Sequence, residues 1–325
     1  MKREKSGKMN CYIQQGEKFL RDCIFDGLAH SYDVIKKEYV KPYPEVTGYV
    51  IKYFCDHHML INEMEEAGEY LISLQDEIGG WSSFYAQWNL YAFDTAQILI
   101  GLCALYQETK NKKYLESALQ GGRFLKFMQM ENGAFIPIYN RKLKQKDANK
   151  KIYDIWNGPF SGLMCKLTEA YDILYLLTQE KEFLLAKEKT ADFYEKAEYI
   201  EYTHPMGYWL EGLYAAERYE KIEEVLTKHV LPDIRENGFI PYRKDLPYAY
   251  VSGSIQLGII LQKMGYRKEA ELIKAYGRKV QACHVCGGLF QYADSQGALD
   301  KHVHTEINSW GTKYFCELER CLENE

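Results

Sequence analysis

Two kinds of helical run alternate along the chain. In the first, as in residues 61–75 and 113–129, apolar positions recur every three or four residues among charged ones. That pattern marks a helix with one wet face. In the second, as in residues 94–106 and 252–261, small and apolar residues fill nearly every position. A helix enclosed on all sides reads this way. The first kind predicts an outer layer, the second an inner one.

Both kinds repeat with one period, and such self-similarity is the mark of a repeat architecture. The outer runs end in a glycine and an aromatic residue, closing at Trp81, Phe135, Phe239 and, more weakly, Phe290. The steps are 54, 104 and 51, so one degenerate copy lies inside the long interval. The inner runs open on a polar residue at Glu45, Asp94, Asn157, His204, Ser252 and Glu306. Their steps are 49, 63, 47, 48 and 54, and removing the basic insert 141–151 returns the long step to 52. Six outer and six inner helices predict an all-α fold, an (α/α)6 toroid filling residues 1–325 as one domain.

Connections from inner to outer helix are short, whereas those from outer to inner helix are long and rich in aromatic residues. Long irregular loops on a rigid scaffold are where function concentrates. One end of the ring is therefore plain and the other elaborated.

Charge and cysteine content narrow the function classes. Forty-one basic against 46 acidic residues give a net charge of −5, without the basic footprint of a nucleic-acid binder. No apolar run approaches the ~20 residues of a membrane span, and the basic N-terminus lacks the apolar stretch of a signal peptide. The nine cysteines are odd in number and sit mostly on apolar faces. Buried thiols in a reducing cytoplasm are the expectation.

At the elaborated mouth, six inner helices aim their unpaired N–H groups and partial positive charge at one concavity. Asp and Ser are good N-caps, and an N-terminal carboxylate gains roughly 0.3–1 kcal/mol there. Ser252 and Asn157 read mainly as caps. Glu is a poor cap, so Glu45 and Glu306, with Asp94, stand out as catalytic candidates. His204 precedes Pro205, which suits both a helix start and a functional imidazole. Gln97, Glu211, Gln256 and Asn308 add polar groups where the helices should be dry. Among the aromatics, Trp81, Phe135, Phe239 and Phe290 belong to the repeat and are expected to pack. Trp88, Trp156 and Tyr250 lie outside it, and with Tyr208, Trp310 and Asn157 they complete the candidate substrate-binding set. Flat aromatic faces beside carboxylates and amides suit a saccharide or sugar conjugate.

The openings YPEVTGY, AFDTAQILIGL and HPMGYWLEGL resemble those of bacterial six-hairpin-glycosidase-like proteins. The segment DTAQILIGLCALYQETKNKKYLESA resembles the helical domain of uronyl C5-epimerases. The resemblance runs from about residue 43 to 318 and implies an α/α ring acting on a glycan; it transfers no catalytic pair. Glycoside cleavage needs two carboxylates flanking the bond, for which Asp94 and Glu306 are the first choice and Glu45 the reserve. Uronate epimerisation needs a base and an acid on opposite faces. His204, Glu306 and Tyr250 could serve, with Asn308, Gln97 or Lys313 holding the carboxylate.

Three alternatives stand beside this reading. The Gly–aromatic phrase and FDTA also resemble isoprenoid cyclases, but their cavities should be apolar and this mouth is polar. Cys283, Cys286, His302 and His304 offer soft ligands as in the zinc site of lanthionine cyclases, yet the spacing departs from that family and no second CxxC exists. No cofactor or metal is therefore expected. The third is a ring that binds a glycan without changing it.

Overall fold

The computed structural model describes residues 10–83, 88–147, 156, 158–284, 286–300 and 303–323. The outer helices are α1 (Cys11–Asp22), α3 (Ile61–Ser73), α5 (Lys112–Met128), α7 (Lys181–Tyr194), α9 (Tyr219–Val225) and α11 (Arg267–Ala282). The inner helices are α2 (Pro44–Asp56), α4 (Ala92–Thr109), α6 (Leu167–Thr178), α8 (Thr203–Ala215), α10 (Val251–Lys263) and α12 (Ser309–Glu323). A 3-10 turn, Gly162–Lys166, leads into α6. Each inner helix packs on the next, and α12 packs on α2, so the six hairpins close into a ring. No helix among the described residues is long and apolar enough to cross a membrane.

The Gly–aromatic phrase is the joint between hairpins. Gly79, Gly133, Gly238 and Gly287 take φ values of +93°, +95°, +81° and +83°, which favour glycine over any other residue. A Cβ on them would lie within 2.4 Å of a main-chain carbonyl oxygen of the following outer helix: Gln120, Lys189, Leu272 and Gln15. The last of these is on α1, so the same joint seals the ring. Three of the turns repeat one hydrogen-bond pair, seen at Asp76 with Gly79 and Gly80, at Met130 with Gly133 and Ala134, and at Arg235 with Gly238 and Phe239. The aromatic residues that follow, Trp81, Phe135, Phe239 and Phe290, are buried. Trp81 also reaches across to the inner layer, where its main-chain N–H donates to Thr95 Oγ1 (3.1 Å) beside Asp94.

The long connections carry short strands that the sequence reading did not assign. They are β1 (Ile24–Phe25), β2 (Leu28–Asp33), β3 (Glu38–Tyr43), β4 (Asn89–Tyr91), β5 (Ile138–Asn140), β6 (Gln145–Asp147), β7 (Tyr248–Tyr250), β8 (Leu289–Phe290), β9 (Tyr292–Asp294) and β10 (Glu306–Asn308). Two to six residues are too few for a period-two pattern to show. The largest sheet runs β1-β2-β10-β8, with β3 on β2, and ties both ends of the chain together. Strand β4 pairs with β5 and β5 with β6, while β7 pairs with β9.

Close approach between inner helices is built on glycine. A Cβ on Gly48 would sit 2.4 Å from the Gln97 carbonyl oxygen, and one on Gly101 2.5 Å from that of Gly48. Thus α2 and α4 meet backbone to backbone. Helices α8 and α10 do the same, because a Cβ on Gly253 would lie 2.6 Å from His204 N and one on Gly207 2.9 Å from Gln256 Cβ. These two contacts decide what faces what at the mouth.

Candidate functional site

All six inner-helix starts line one cavity of about 420 Å³. Glu45 and Val46 come from α2, Phe93 and Asp94 from α4, Leu163 and Met164 from the turn before α6. His204 and Tyr208 come from α8, Tyr250 from the residue before α10, and Trp310 from α12. Tyr43, Tyr91, Pro137, Trp156 and Gln291 add aromatic and amide surface at the rim.

Glu45 and Asp94 face this cavity from the first turns of neighbouring helices. Neither caps its helix; the residues at those N-cap positions are Tyr43 and Tyr91. Desolvation raises the Glu45 carboxyl to about 7, against the pull of nearby main-chain N–H groups. Asp94 is also raised well above its ordinary value, first by desolvation and then by the charge of Glu45. Burial and the repulsion of Glu45 on Asp94 both favour a proton on the pair over two charges. The helix dipole favours the charge that remains.

His204 closes the opposite side. Its ring stacks on Tyr250 at 4.5 Å and 12° and lies tilted to Tyr208 at 4.6 Å and to Trp156 at 5.7 Å. Burial lowers its pKa to about 3, only partly opposed by the hydrogen bond to Gln256, so the imidazole is neutral at physiological pH. Nδ1 lies 2.5 Å from Gln256 Oε1 and 3.4 Å from Ser252 Oγ. Tyr250 is held in turn by Gln291, whose Nε2 donates to its hydroxyl at 3.1 Å.

No protein-family model and no curated protein sequence matches the chain. Solved structures do match over the full length. A cellobiose 2-epimerase from Bacillus thermoamylovorans aligns at 15% identity and TM-score 0.70, over 96% of this chain and 100% of that one. An unsaturated glucuronyl hydrolase specific for heparin aligns at 14% and 0.70, over 97% and 96%. A D-mannose isomerase aligns at 12% and 0.73, over 97% of both. The chain has the (α/α)6 toroid fold of these structures.

The toroid brings together only part of the set marked out in the sequence. Glu45, Asp94, His204, Trp156, Tyr208, Tyr250 and Trp310 line the cavity. Glu306 is not among the lining residues. It lies in β10 rather than at a helix start, buried, with Lys41 Nζ 2.5 Å from its Oε1 and His304 Nε2 at 3.7 Å. The helix opens three residues later because Asn308 caps it, accepting from Gly311 N–H at 2.8 Å. Asn308 is thus a structural cap, and Gln97 is buried in the α2–α4 contact rather than facing the cavity. Ser252, read as a cap, makes no capping bond and turns to His204 instead. Gln256 and Glu211 lie behind His204 instead of in the cavity wall. Trp88 belongs to a different cleft, half-exposed with Lys142 Nζ 5.0 Å from its ring centroid.

Asn157 and His302 lie outside the described residues. Among those described, no three His, Cys, Asp or Glu side chains cluster as metal ligands would. Cys283 is exposed and Cys286 half-buried. The lining residues missed by sequence reasoning include Tyr43, Tyr49, Phe93 and Gln291. The signal available was a tyrosine immediately before α2, α4 and α10 alike, at Tyr43, Tyr91 and Tyr250.

Proposed function

We propose that this protein is an enzyme that acts on a saccharide, cleaving a glycosidic bond with Glu45 and Asp94 as the acid–base pair. The observation that carries the reading is that Glu45 and Asp94, both desolvated and pushed toward the protonated form, line one cavity walled by tyrosine and tryptophan. Glycoside cleavage needs one carboxyl that is still protonated and one that is charged. The protonated member donates to the leaving oxygen, and the charged one activates water or stabilises the oxocarbenium-like carbon. Trp156, Tyr250 and Trp310 offer apolar faces to the sugar ring, and neutral His204 accepts from a sugar hydroxyl. The cavity is at the small end for ligand sites, which suits the end of a saccharide or a short one. The epimerase, hydrolase and isomerase named among the structural neighbours support sugar chemistry for this fold, and fold alone does not choose among them.

A second reading, epimerisation or isomerisation, is favoured by one observation: a neutral imidazole facing the cavity, able to take a proton from carbon. The test is incubation with neutral and uronate-containing oligosaccharides in deuterated water, followed by mass spectrometry. Shorter products that disappear in Glu45→Gln and Asp94→Asn support cleavage. Deuterium gained without cleavage and lost in His204→Gln supports the second reading. No change in any saccharide contradicts both.

A further inference from the structure

Behind His204, away from the cavity, a chain of polar side chains runs through the ring interior. Gln256, fully buried on α10, bridges His204 on α8 to Glu211, two turns further along α8. Gln256 Nε2 donates to Glu211 Oε2 at 3.2 Å, and its Oε1 faces His204 Nδ1 at 2.5 Å. Glu211 Oε2 also lies 3.1 Å from Lys166 Nζ, a buried ammonium that Glu169 and Glu211 keep protonated against the opposing effect of desolvation.

The polarity of this chain follows from its far end. An ionised carboxylate accepts hydrogen bonds and donates none. Glu211, paired with the Lys166 ammonium, therefore draws the NH₂ end of the Gln256 amide toward itself. The amide is planar, so its carbonyl must point the other way, at His204. A carbonyl accepts only, so the nitrogen facing it must carry the proton. Ser252 Oγ is compatible, because a hydroxyl also accepts. The neutral imidazole thus has its proton on Nδ1 and its lone pair on Nε2, and Nε2 makes no hydrogen bond to a described residue. A histidine tautomer is set by the bond its other nitrogen makes.

We infer that Glu211 is a positioning residue: acting through Gln256, it fixes His204 as the Nδ1–H tautomer and so presents Nε2 to the cavity as an acceptor. Glu211 touches no substrate in this scheme. The inference rests on the reading of the cavity as a saccharide site, where an acceptor selects a sugar hydroxyl or takes a proton. The close α8–α10 contact at Gly207 and Gly253 is what brings the amide within reach of the ring.

The test is ¹⁵N NMR of the full chain labelled in histidine, with the His204 signals identified by their loss in His204→Gln. The wild type should show a protonated Nδ1 and an unprotonated Nε2 at neutral pH. In Glu211→Gln the new amide can present either end, Gln256 is free to flip, and the signals should move toward a mixture with the Nε2–H form. kcat/KM should fall several-fold, through KM if Nε2 holds a sugar hydroxyl and through kcat if it takes a proton. The exchange Glu211→Gln with Gln256→Glu keeps the charge count and puts a carboxylate, which only accepts, against Nδ1; it should restore the single tautomer. Gln256→Met leaves the Glu211–Lys166 pair in place and should release the tautomer even if Glu211→Gln does not fold. A single Nδ1–H tautomer persisting in Glu211→Gln, or in Gln256→Met, overturns the inference. A tautomer that responds as expected while every saccharide test fails upholds this inference and removes the proposed function alone.

Discussion

Glu45, second residue of α2, and Asp94, third residue of the adjacent α4, both stand in a first helical turn, and the charge of Glu45 adds to desolvation in favouring a proton on the Asp94 carboxyl. Their proximity originates in the backbone. Gly48, one turn below Glu45, lets α2 rest directly on the Gln97 carbonyl, one turn below Asp94. Two desolvated carboxyls at one cavity cost the ring stability, a sacrifice that the proposed acid–base role would explain.

That sacrifice has a sign. Glu45 binds its proton more tightly in the folded state, at about 7, than in the unfolded chain, where an ordinary glutamate sits at 4.5. Its contribution is fully present below pH 4.5 and is lost as pH rises through about 7. Glu45→Gln should therefore be more stable than wild type at pH 8, by about 1–3 kcal/mol, with little difference at pH 4. Urea unfolding at the two pH values measures this. A variant less stable at pH 8 would contradict it.

His204 acts in the opposite direction. Its folded pKa, about 3, lies below the ordinary 6.5, so stability is intact above pH 6.5 and falls as pH drops toward 3. The loss from this group should reach about 2–3 kcal/mol by pH 4. In His204→Gln the acid limb of the stability curve should be shallower. Equal acid limbs would show that the imidazole protonates in the folded state without penalty.

The glycine contact can be tested directly. Gly48→Ala must push α2 off α4, because the new methyl would meet a main-chain oxygen at 2.4 Å. A loss of about 1–3 kcal/mol in stability is expected, as for other overpacked interiors. Saccharide turnover should fall with it, since Glu45 moves relative to Asp94. Full activity in a folded Gly48→Ala protein would separate the helix contact from the site.

Two tryptophans that look alike in the sequence should behave differently. Trp156 lines the cavity 5.7 Å from the His204 ring, whereas Trp88 stands over a separate cleft under Lys142. Trp156→Ala should raise KM by about tenfold, the equivalent of roughly 1.4 kcal/mol. Trp88→Ala should leave KM within about twofold. Equal effects would place both rings on the substrate path.

The contrast between Glu45 and Glu306 shows how far a sequence can be read here. The ring was legible because Gly79, Gly133 and Gly238 must each turn against the next helix, and that need repeats every fifty residues or so. Convergence at one mouth followed from loop length. Which glutamates face the cavity did not. Glu45 and Glu306 share a residue type and a repeat phase, yet β3 brings Lys41 onto Glu306 through a strand pairing that leaves no local trace. Asn308 reads as a buried functional amide because nothing local marks strand β10, which delays the start of α12 to Ser309. The Gln256–Glu211 chain was visible as polar residues inside dry helices, but its link to His204 depends on which helices touch.

The central claim, a carboxyl pair that keeps a proton at neutral pH, needs no substrate to test. Glutamate and aspartate side-chain carboxyls can be ¹³C-labelled in the full chain and followed by NMR from pH 3 to 10. The Glu45 signal is identified by its loss in Glu45→Gln. The account predicts that Glu45 titrates near 7, in a broadened course that sharpens to a single step in Asp94→Asn. A single sharp step at 4 to 5 in the wild type, unchanged by Asp94→Asn, would contradict it.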